Sequence, residues 1–232
     1  MRFIRASLVF FFSHRTLALA RWDFHFILIR FLGLILRRSN AIRRRLEKSP
    51  RPLFLNLGSG KRGARNLHWI NVDGFRFPTV DFCLDLGRKL PFPDSSANGI
   101  FCQHVLEHFD LKKGLAILRE CYRVLTPGGV IRLIVPDARK IVSTYLHQPN
   151  ELLKRQDTNT GLPIEALNSY FRQRYEHQFL YDVEMLRYCL INAGFGGITQ
   201  VGFQIAGKMP EIVLDDEDYA WESLYMEATK SG

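Results

Sequence analysis

The stretch Leu53-Phe54-Leu55-Asn56-Leu57-Gly58-Ser59-Gly60-Lys61-Arg62-Gly63 decides how this chain is read. An apolar run bounded by turn residues reads as a buried strand. Glycines directly after it let the backbone turn sharply or approach a ligand closely. The spacing Gly58-x-Gly60-x-x-Gly63 is that of a nucleotide-binding loop. Such triplets also arise in ordinary turns, so the spacing gains its weight from the residues around it.

Downstream, residues 68–72 form a second apolar run ending at Asp73, and residues 80–84 a third ending at Asp85. Residues 98–103 form a fourth, followed by His104. Residues 111–125 carry a helical period through Leu115, Leu118, Cys121, Tyr122 and Leu125, and stop at Thr126-Pro127-Gly128-Gly129. Residues 130–135 form a fifth run, broken by Pro136. Apolar strands alternating with helices or loops imply a parallel sheet covered on both faces. Ligands of such sheets bind beyond the carboxyl ends of the strands. Asn56, Asp73, Asp85 and His104 all fall there.

Two nucleosides compete for this loop. A nicotinamide dinucleotide sets its pyrophosphate on a helix after the glycines and has an acid about 20 residues on. Here only residues 64–67 separate Gly63 from the second strand, and Asp73 comes 13 residues after Gly60. That leaves no room for the helix and disfavours an oxidoreductase. S-adenosylmethionine needs no phosphate site. It needs backbone room, a carboxylate for the ribose diol and a polar contact for adenine. Asp73 suits the ribose, and Asp85 with Leu86 suits the adenine. Asp73 before Gly74 and Asp85 before Gly87 are also ordinary turn formers.

These motifs are joined by Leu90-Pro91-Phe92-Pro93-Asp94, His104-Val105-Leu106-Glu107-His108 and Glu120-Cys121-Tyr122-Arg123-Val124-Leu125-Thr126-Pro127-Gly128-Gly129. In that order they resemble class I S-adenosylmethionine-dependent methyltransferases. The similarity is greatest to a bacterial group of small, type 11-like methyltransferases often linked to cell-surface saccharides. It is strong over residues 53–137 and weaker through His177-Gln178-Phe179, Ala193-Gly194-Phe195 and Ser223-Leu224-Tyr225-Met226-Glu227-Ala228. The resemblance implies an α/β, Rossmann-like, seven-stranded and mostly parallel sheet. Its sixth strand would lie near residues 198–203, and its last, antiparallel strand near 223–229. The resemblance also implies cofactor contacts from Asn56, Gly58, Gly60, Asp73, Asp85, Leu86 and His104. Gly58, Gly60 and His104 would lie at the methionine end. Asn56 stands where many members carry an acid, and the first helix is reduced to a loop.

Upstream lies a different kind of sequence. The net charge of +9 resides in residues 1–50, which hold 11 Lys/Arg and two acids, while the remainder carries 21 of each sign. No small-residue cleavage site marks a signal peptide. The best apolar window, residues 22–36, is too short to span a membrane and contains Asp23, His25 and Arg30. Asp23, Arg30, Arg37 and Arg44 recur every seven residues and leave an apolar face of Phe24, Ile27, Leu28, Phe31, Leu32 and Ile35. Such a helix can lie on an anionic membrane, or pack on the domain or in a homodimer. Amphipathicity leaves these readings open. Nucleic acid is disfavoured, because the aromatics sit among aliphatics. Ser49-Pro50-Arg51-Pro52 breaks the pattern. The chain thus divides into a basic amphipathic helical extension, 1–52, and a methyltransferase domain, 53–232. A cytoplasmic location is expected, peripheral at the inner membrane face. The four cysteines lack CxxC spacing and read as buried free thiols.

Methyl transfer from a sulfonium is an in-line displacement in which positioning supplies most of the catalysis. Only a protonated acceptor needs a base. His104, Glu107, His108 and His177 are the candidates, with His104, His108 and His177 as the catalytic histidines. His104, Glu107 and His108 stand at i, i+3 and i+4, on one face of a short helix. That spacing also suits a metal, but no third ligand pattern accompanies it, so no metal is expected. The resemblance makes these residues the floor of the cofactor pocket. His177 reads equally well as a surface histidine. Residues 138–182, with Tyr145, Tyr170, Phe171, Tyr175 and Phe179, are expected to select the acceptor, or else to form a helical cap. Asp215-Asp216-Glu217-Asp218 reads as a solvated loop. The function expected is S-adenosylmethionine-dependent methylation of a small molecule, saccharide or lipid-linked glycan. The alternative is a non-catalytic relative that recruits partners at a membrane through residues 1–50.

Overall fold

The computed structural model describes residues 14–36, 38–156 and 158–232. Seven strands form one sheet: β1 Phe54–Leu57, β2 Trp69–Asp73, β3 Phe82–Cys83, β4 Ala97–Gln103, β5 Leu125–Pro136, β6 Phe195–Val201 and β7 Ser223–Lys230. Their order is β3-β2-β1-β4-β5-β7-β6. β1 to β5 run parallel, and β7 pairs antiparallel with both β5 and β6. The expected Rossmann-like sheet with a reversed last strand is therefore present. The chain switches direction of travel across the sheet between β1 and β4, and clefts open at such points.

The third strand is shorter than residues 80–84. Only Phe82 and Cys83 pair with β2. Asp81 donates its backbone N–H to the Asn71 carbonyl at 2.9 Å, but the Asn71 N–H is met by the Asp81 side chain, whose Oδ2 accepts it at 2.8 Å. That side-chain contact replaces a ladder bond and leaves a stub at the sheet edge.

One face of the sheet is covered by helices. The helix over residues 111–125 is observed as Leu111–Val124, capped by Asp110 whose side chain accepts from Lys113 N–H. Its buried stripe of Ile117, Leu118, Cys121 and Val124 packs with Leu186, Cys189 and Leu190 of the helix Val183–Asn192 over Leu55, Leu57, Ile100 and Cys102. The other face, where the sequence predicts a loop in place of the first helix, has no such helical layer among the described residues. It is covered instead by a 3-10 turn, Pro210–Ile212, and loop residues Ala64, Phe203, Met209 and Leu214 over Phe54, Trp69 and Phe101. With residues 64–67 too few for a helix, this face has no helix from the β1–β2 connection.

A buried ion cluster holds the loop cover. Arg132 on β5 is 0% exposed. It donates to Asp215 Oδ1 at 2.7 Å and again to Asp215 Oδ2, to Glu227 Oε1 at 2.8 Å, and to the carbonyls of Ile205 and Gly202 at 3.0 Å each. All five guanidinium N–H groups are used. Asp215 therefore does not belong to a solvated loop, as the acidic run suggested. Asp216 and Asp218 do lie nearer the surface and pair with Arg62.

The extension forms α1, His14–Ile35, and α2, Arg38–Lys48. The break between them splits the heptad stripe: Arg44 sits on α2, and Arg37 lies outside the described residues. Ile42 of α2 is fully buried in the main core. On α1 the polar stripe faces the domain through Arg30, while Phe24, Ile27, Phe31, Leu34 and Ile35 are exposed. No described helix is long and apolar enough to cross a membrane. Cys102, Cys121 and Cys189 are buried free thiols and Cys83 is half-buried.

Replacing Arg132 by Met strands two buried carboxylates. The substitution should cost about 3–5 kcal/mol of unfolding free energy, read as a lowered urea midpoint with an unchanged slope.

Candidate active site

Leu57 is level with Val72 on β2 and with Cys102 on β4. The three chain segments therefore leave the sheet together. Gly58, Asp73 and His104 come to the rim of one cleft, along which three chambers lie in succession, each sharing wall residues with the next.

The first chamber, about 380 Å³, is lined by Asn56, Gly58, Gly60, Gln103, His104 and Tyr219 among others. Asn56 is 3% exposed; its Nδ2 donates to Asn71 Oδ1 at 3.3 Å, and its Oδ1 has no partner. An unmet acceptor there suits the ammonium of an amino-acid moiety. Gly58 has φ +75°, and a Cβ added to it would lie 2.1 Å from Val105 Cγ2. Glycine is required at this turn on both counts.

The second chamber, also about 380 Å³, shares Gly58 and His104 with the first and adds Asp73, Phe75, Leu86, Val105 and His108. Asp73 Oδ2 accepts from Gly60 N–H at 2.8 Å and Oδ1 from Phe75 N–H at 2.7 Å. These bonds lock its carboxylate at the cleft, where the remaining lone pairs are available to a diol. The roof comes from α1. Trp22 meets Phe75 edge to face at 5.3 Å, His25 Nε2 bonds the Gly74 carbonyl at 2.9 Å, and Phe26 lines the wall.

Asp85 lies in the third chamber, about 390 Å³, with Gly87, Arg88, Lys113 and Glu176. Its Oδ2 pairs with Arg30 Nε of α1 at 2.8 Å and its Oδ1 accepts from Gly87 N–H at 3.0 Å. Asp73 and Leu86 thus share a chamber with Gly58, while Asp85 stands one chamber further along, beside Trp22 and Phe26.

The histidines are arranged differently from one helical face. The helix is a single 3-10 turn, Leu106–His108, and His104 precedes it with φ +51°. Both nitrogens of His104 are engaged: Nε2 with Ser223 Oγ at 2.9 Å, and Nδ1 lying 3.1 Å from Glu107 Oε1. Its ring also meets Tyr219 at 4.5 Å. His104 therefore forms a fixed wall where the first two chambers meet. His177 is neither isolated nor a surface residue. Gln178 and Phe179 donate their backbone N–H groups to the Glu107 carbonyl at 2.7 and 3.2 Å, which carries His177 to 5.1 Å from the His108 ring. Burial lowers the basicity of His177. Burial pushes the Glu107 carboxyl up, but His104, His108 and His177 together hold it below its ordinary value.

Residues 138–182 fold as α3 Ala138–His147, α4 Pro149–Leu153 and α5 Pro163–Arg172 around Ile141, Leu152, Ala166 and Tyr170. The body of this insertion packs, and its end delivers Tyr175, Glu176 and Gln178 to the third chamber. Sequence reading missed Trp22, Phe26, Tyr219 and Ser223 as cleft residues. The nearest signal for Ser223 is its place at the start of the last strand.

A sheet in this order, with a reversed last strand and a cleft at the β1–β4 switch point, is the class I methyltransferase fold. Residues 63–133 match the family described as a methyltransferase domain. A methyltransferase from Archaeoglobus fulgidus is 15% identical, with 85% of this chain and 94% of that one covered and a TM-score of 0.47. One from Thermotoga maritima is 19% identical, with 88% and 99% covered and a TM-score of 0.46. Phosphoethanolamine N-methyltransferase 2 of Haemonchus contortus, solved with phosphomonomethylethanolamine and S-adenosylhomocysteine, is 15% identical, with 84% and 53% covered and a TM-score of 0.49. No curated protein sequence matches the chain.

Gly58→Ala should lower stability by about 1–3 kcal/mol through overpacking. Because the clash is with Val105 Cγ2 alone, Gly58→Ala combined with Val105→Ala should be more stable than Gly58→Ala by itself, as thermal melts of the three proteins would show.

Proposed function

We propose that this cleft binds S-adenosylmethionine and that the protein transfers the cofactor's methyl group to a small polar acceptor: a small molecule, a saccharide or a lipid-linked glycan. The observation that carries the reading is the placement of Asp73. Its carboxylate is tied to the Gly60 N–H at 2.8 Å and stands in one chamber with Gly58 and Leu86. That arrangement offers a diol acceptor and an apolar ring face beside a glycine turn, and no phosphate cradle.

The residues divide the work along the cleft. Asn56 Oδ1 and the Gly58-Ser59-Gly60 backbone hold the amino-acid end. Asp73 takes the ribose hydroxyls, and Leu86 with Phe75 takes the adenine faces. Asp85 keeps lone pairs for the adenine amino group beside Arg30, since each carboxylate oxygen accepts more than one bond. His104, bonded to Ser223 Oγ through Nε2, fixes the level at which the sulfonium sits. The acceptor reaches the sulfonium through the second chamber, past His108 and Glu176, which line it together with His104. In the transfer an acceptor atom bonds the methyl carbon as the carbon–sulfur bond breaks, and the electron pair stays on sulfur. The imidazoles of His108 and His177 supply the polar surroundings for an acceptor hydroxyl that must lose its proton.

Calorimetry with S-adenosylmethionine tests the reading, and absence of binding at millimolar cofactor would overturn it. Asp73→Asn should weaken binding about tenfold or more, because a charged acceptor of the ribose hydroxyls is lost. Labelled methyl transfer to fractionated cell extract identifies the acceptor.

The outward face of α1 supports a membrane-surface setting for a lipid-linked acceptor. Phe24, Ile27, Phe31 and Leu34 are exposed there, in a segment that holds the chain's net positive charge. The protein should co-sediment with anionic vesicles, less with neutral ones. Substituting Phe24, Ile27 and Phe31 by Ser should abolish this while leaving cofactor affinity intact.

A further inference from the structure

We propose that Glu107, His108 and His177 bind one divalent transition-metal ion of the zinc type at the floor of the cleft. One ligand atom from each lies within 4.8 Å of the others. The site stands on its own geometry. Only the role of the ion in methyl transfer rests on the function proposed above.

Glu107 is 0% exposed, and neither of its oxygens receives a hydrogen bond. His104 Nδ1 lies 3.1 Å from Oε1, an ion-pair distance, and Oε2 has no neighbour of that kind among the described residues. A sealed carboxylate with unmet acceptors is costly, and a cation satisfies it directly. The two histidines are prepared in the manner of metal ligands. His177 Nδ1 donates to the Tyr170 carbonyl at 2.8 Å, and His108 Nδ1 to the Glu176 carbonyl at 3.3 Å. A proton held on Nδ1 leaves the lone pair on Nε2, and a backbone carbonyl behind the ring is the usual outer support of a metal-bound imidazole. Two neutral imidazoles and one carboxylate form a zinc ligand set that keeps a position open for another group. Here the open side is the cleft, because His108 lines both the second and third chambers.

The sequence spacing conceals this set, since His177 is separated from Glu107 by 70 residues. The tertiary link is the docking of Gln178 and Phe179 on the Glu107 carbonyl, reinforced by Gln178 Nε2 donating to the His108 carbonyl at 2.9 Å. Zinc ligands sit about 2.0–2.2 Å from the ion, so the three donors draw closer together on binding. An ion here polarises an acceptor hydroxyl in the cleft. The hydroxyl proton leaves to solvent as the oxygen bonds the methyl carbon and the carbon–sulfur bond breaks.

The test is titration of chelator-stripped full-length protein with Co2+, followed by visible absorption, alongside elemental analysis of the protein as purified. One Co2+ per chain is expected, with ligand-field bands abolished by added Zn2+. Glu107→Gln and His177→Ala should each weaken binding beyond the roughly 10–100-fold typical of an outer support. Circular dichroism checks that both variants fold. His147→Ala should change nothing, since His147 is exposed and bonds the Ser143 carbonyl of its own turn at 2.9 Å. Wild-type protein without bands, or folded variants with wild-type bands, would overturn the proposal. Cofactor binding is read separately by calorimetry on stripped protein. Co2+ binding without cofactor binding leaves the site standing and removes its part in methyl transfer. Cofactor binding without Co2+ binding removes the site.

Discussion

The register that sets Leu57 beside Val72 and Cys102 is the constraint on which the cleft depends. Strand pairing has a period of two, so a slip of one residue would turn Asn56 from the cleft toward the core and bury the wrong side chains. The register is held because both faces of these strands are apolar and each is matched to its own cluster. Leu55 and Leu57 face the helical layer, and Phe54 with Trp69 and Phe101 faces the loop layer. With the three strand ends level, Gly58, Asp73 and His104 meet without any long side chain having to reach.

The loop layer is the unusual part of the structure. It lacks a helix after β1, so its cohesion comes from other sources. Arg132 gathers Asp215, Glu227 and two loop carbonyls into a single buried cluster. A charge buried in this way is tolerated only when every donor is satisfied, and here all five are. The cluster anchors the segment that brings Tyr219 and Ser223 to His104. Cleft geometry beside His104 therefore depends on a buried ion cluster in the loop layer, on the face of the sheet that carries Phe101.

The N-terminal helix occupies an intermediate position. It roofs the cleft with Trp22 and Phe26 and ties to Asp85 through Arg30, yet leaves its widest apolar face outward. Its heptad stripe was visible in the sequence. The side that would meet the domain was not, because a polar stripe can face water or a complementary wall equally well. Asp85 settles the orientation with its carboxylate.

Local pattern alone was sufficient for β1, β2, β4 and β5, for the helix over residues 111–125 and for the glycine turn, because each rests on the periodicity and backbone freedom of adjacent residues, whereas β3 is shorter than its apolar run and β6 and β7 were placed by resemblance. The acids at the ends of β2 and β3 were legible for the same reason. What only the tertiary structure decided are the meetings between distant segments: His177 beside His108, Ser223 on His104, Asp215 around Arg132 and Trp22 over Asp73. These depend on which loop docks on which strand end. Such docking is set by backbone hydrogen bonds and buried charge across the sheet, and neither leaves a period in the chain.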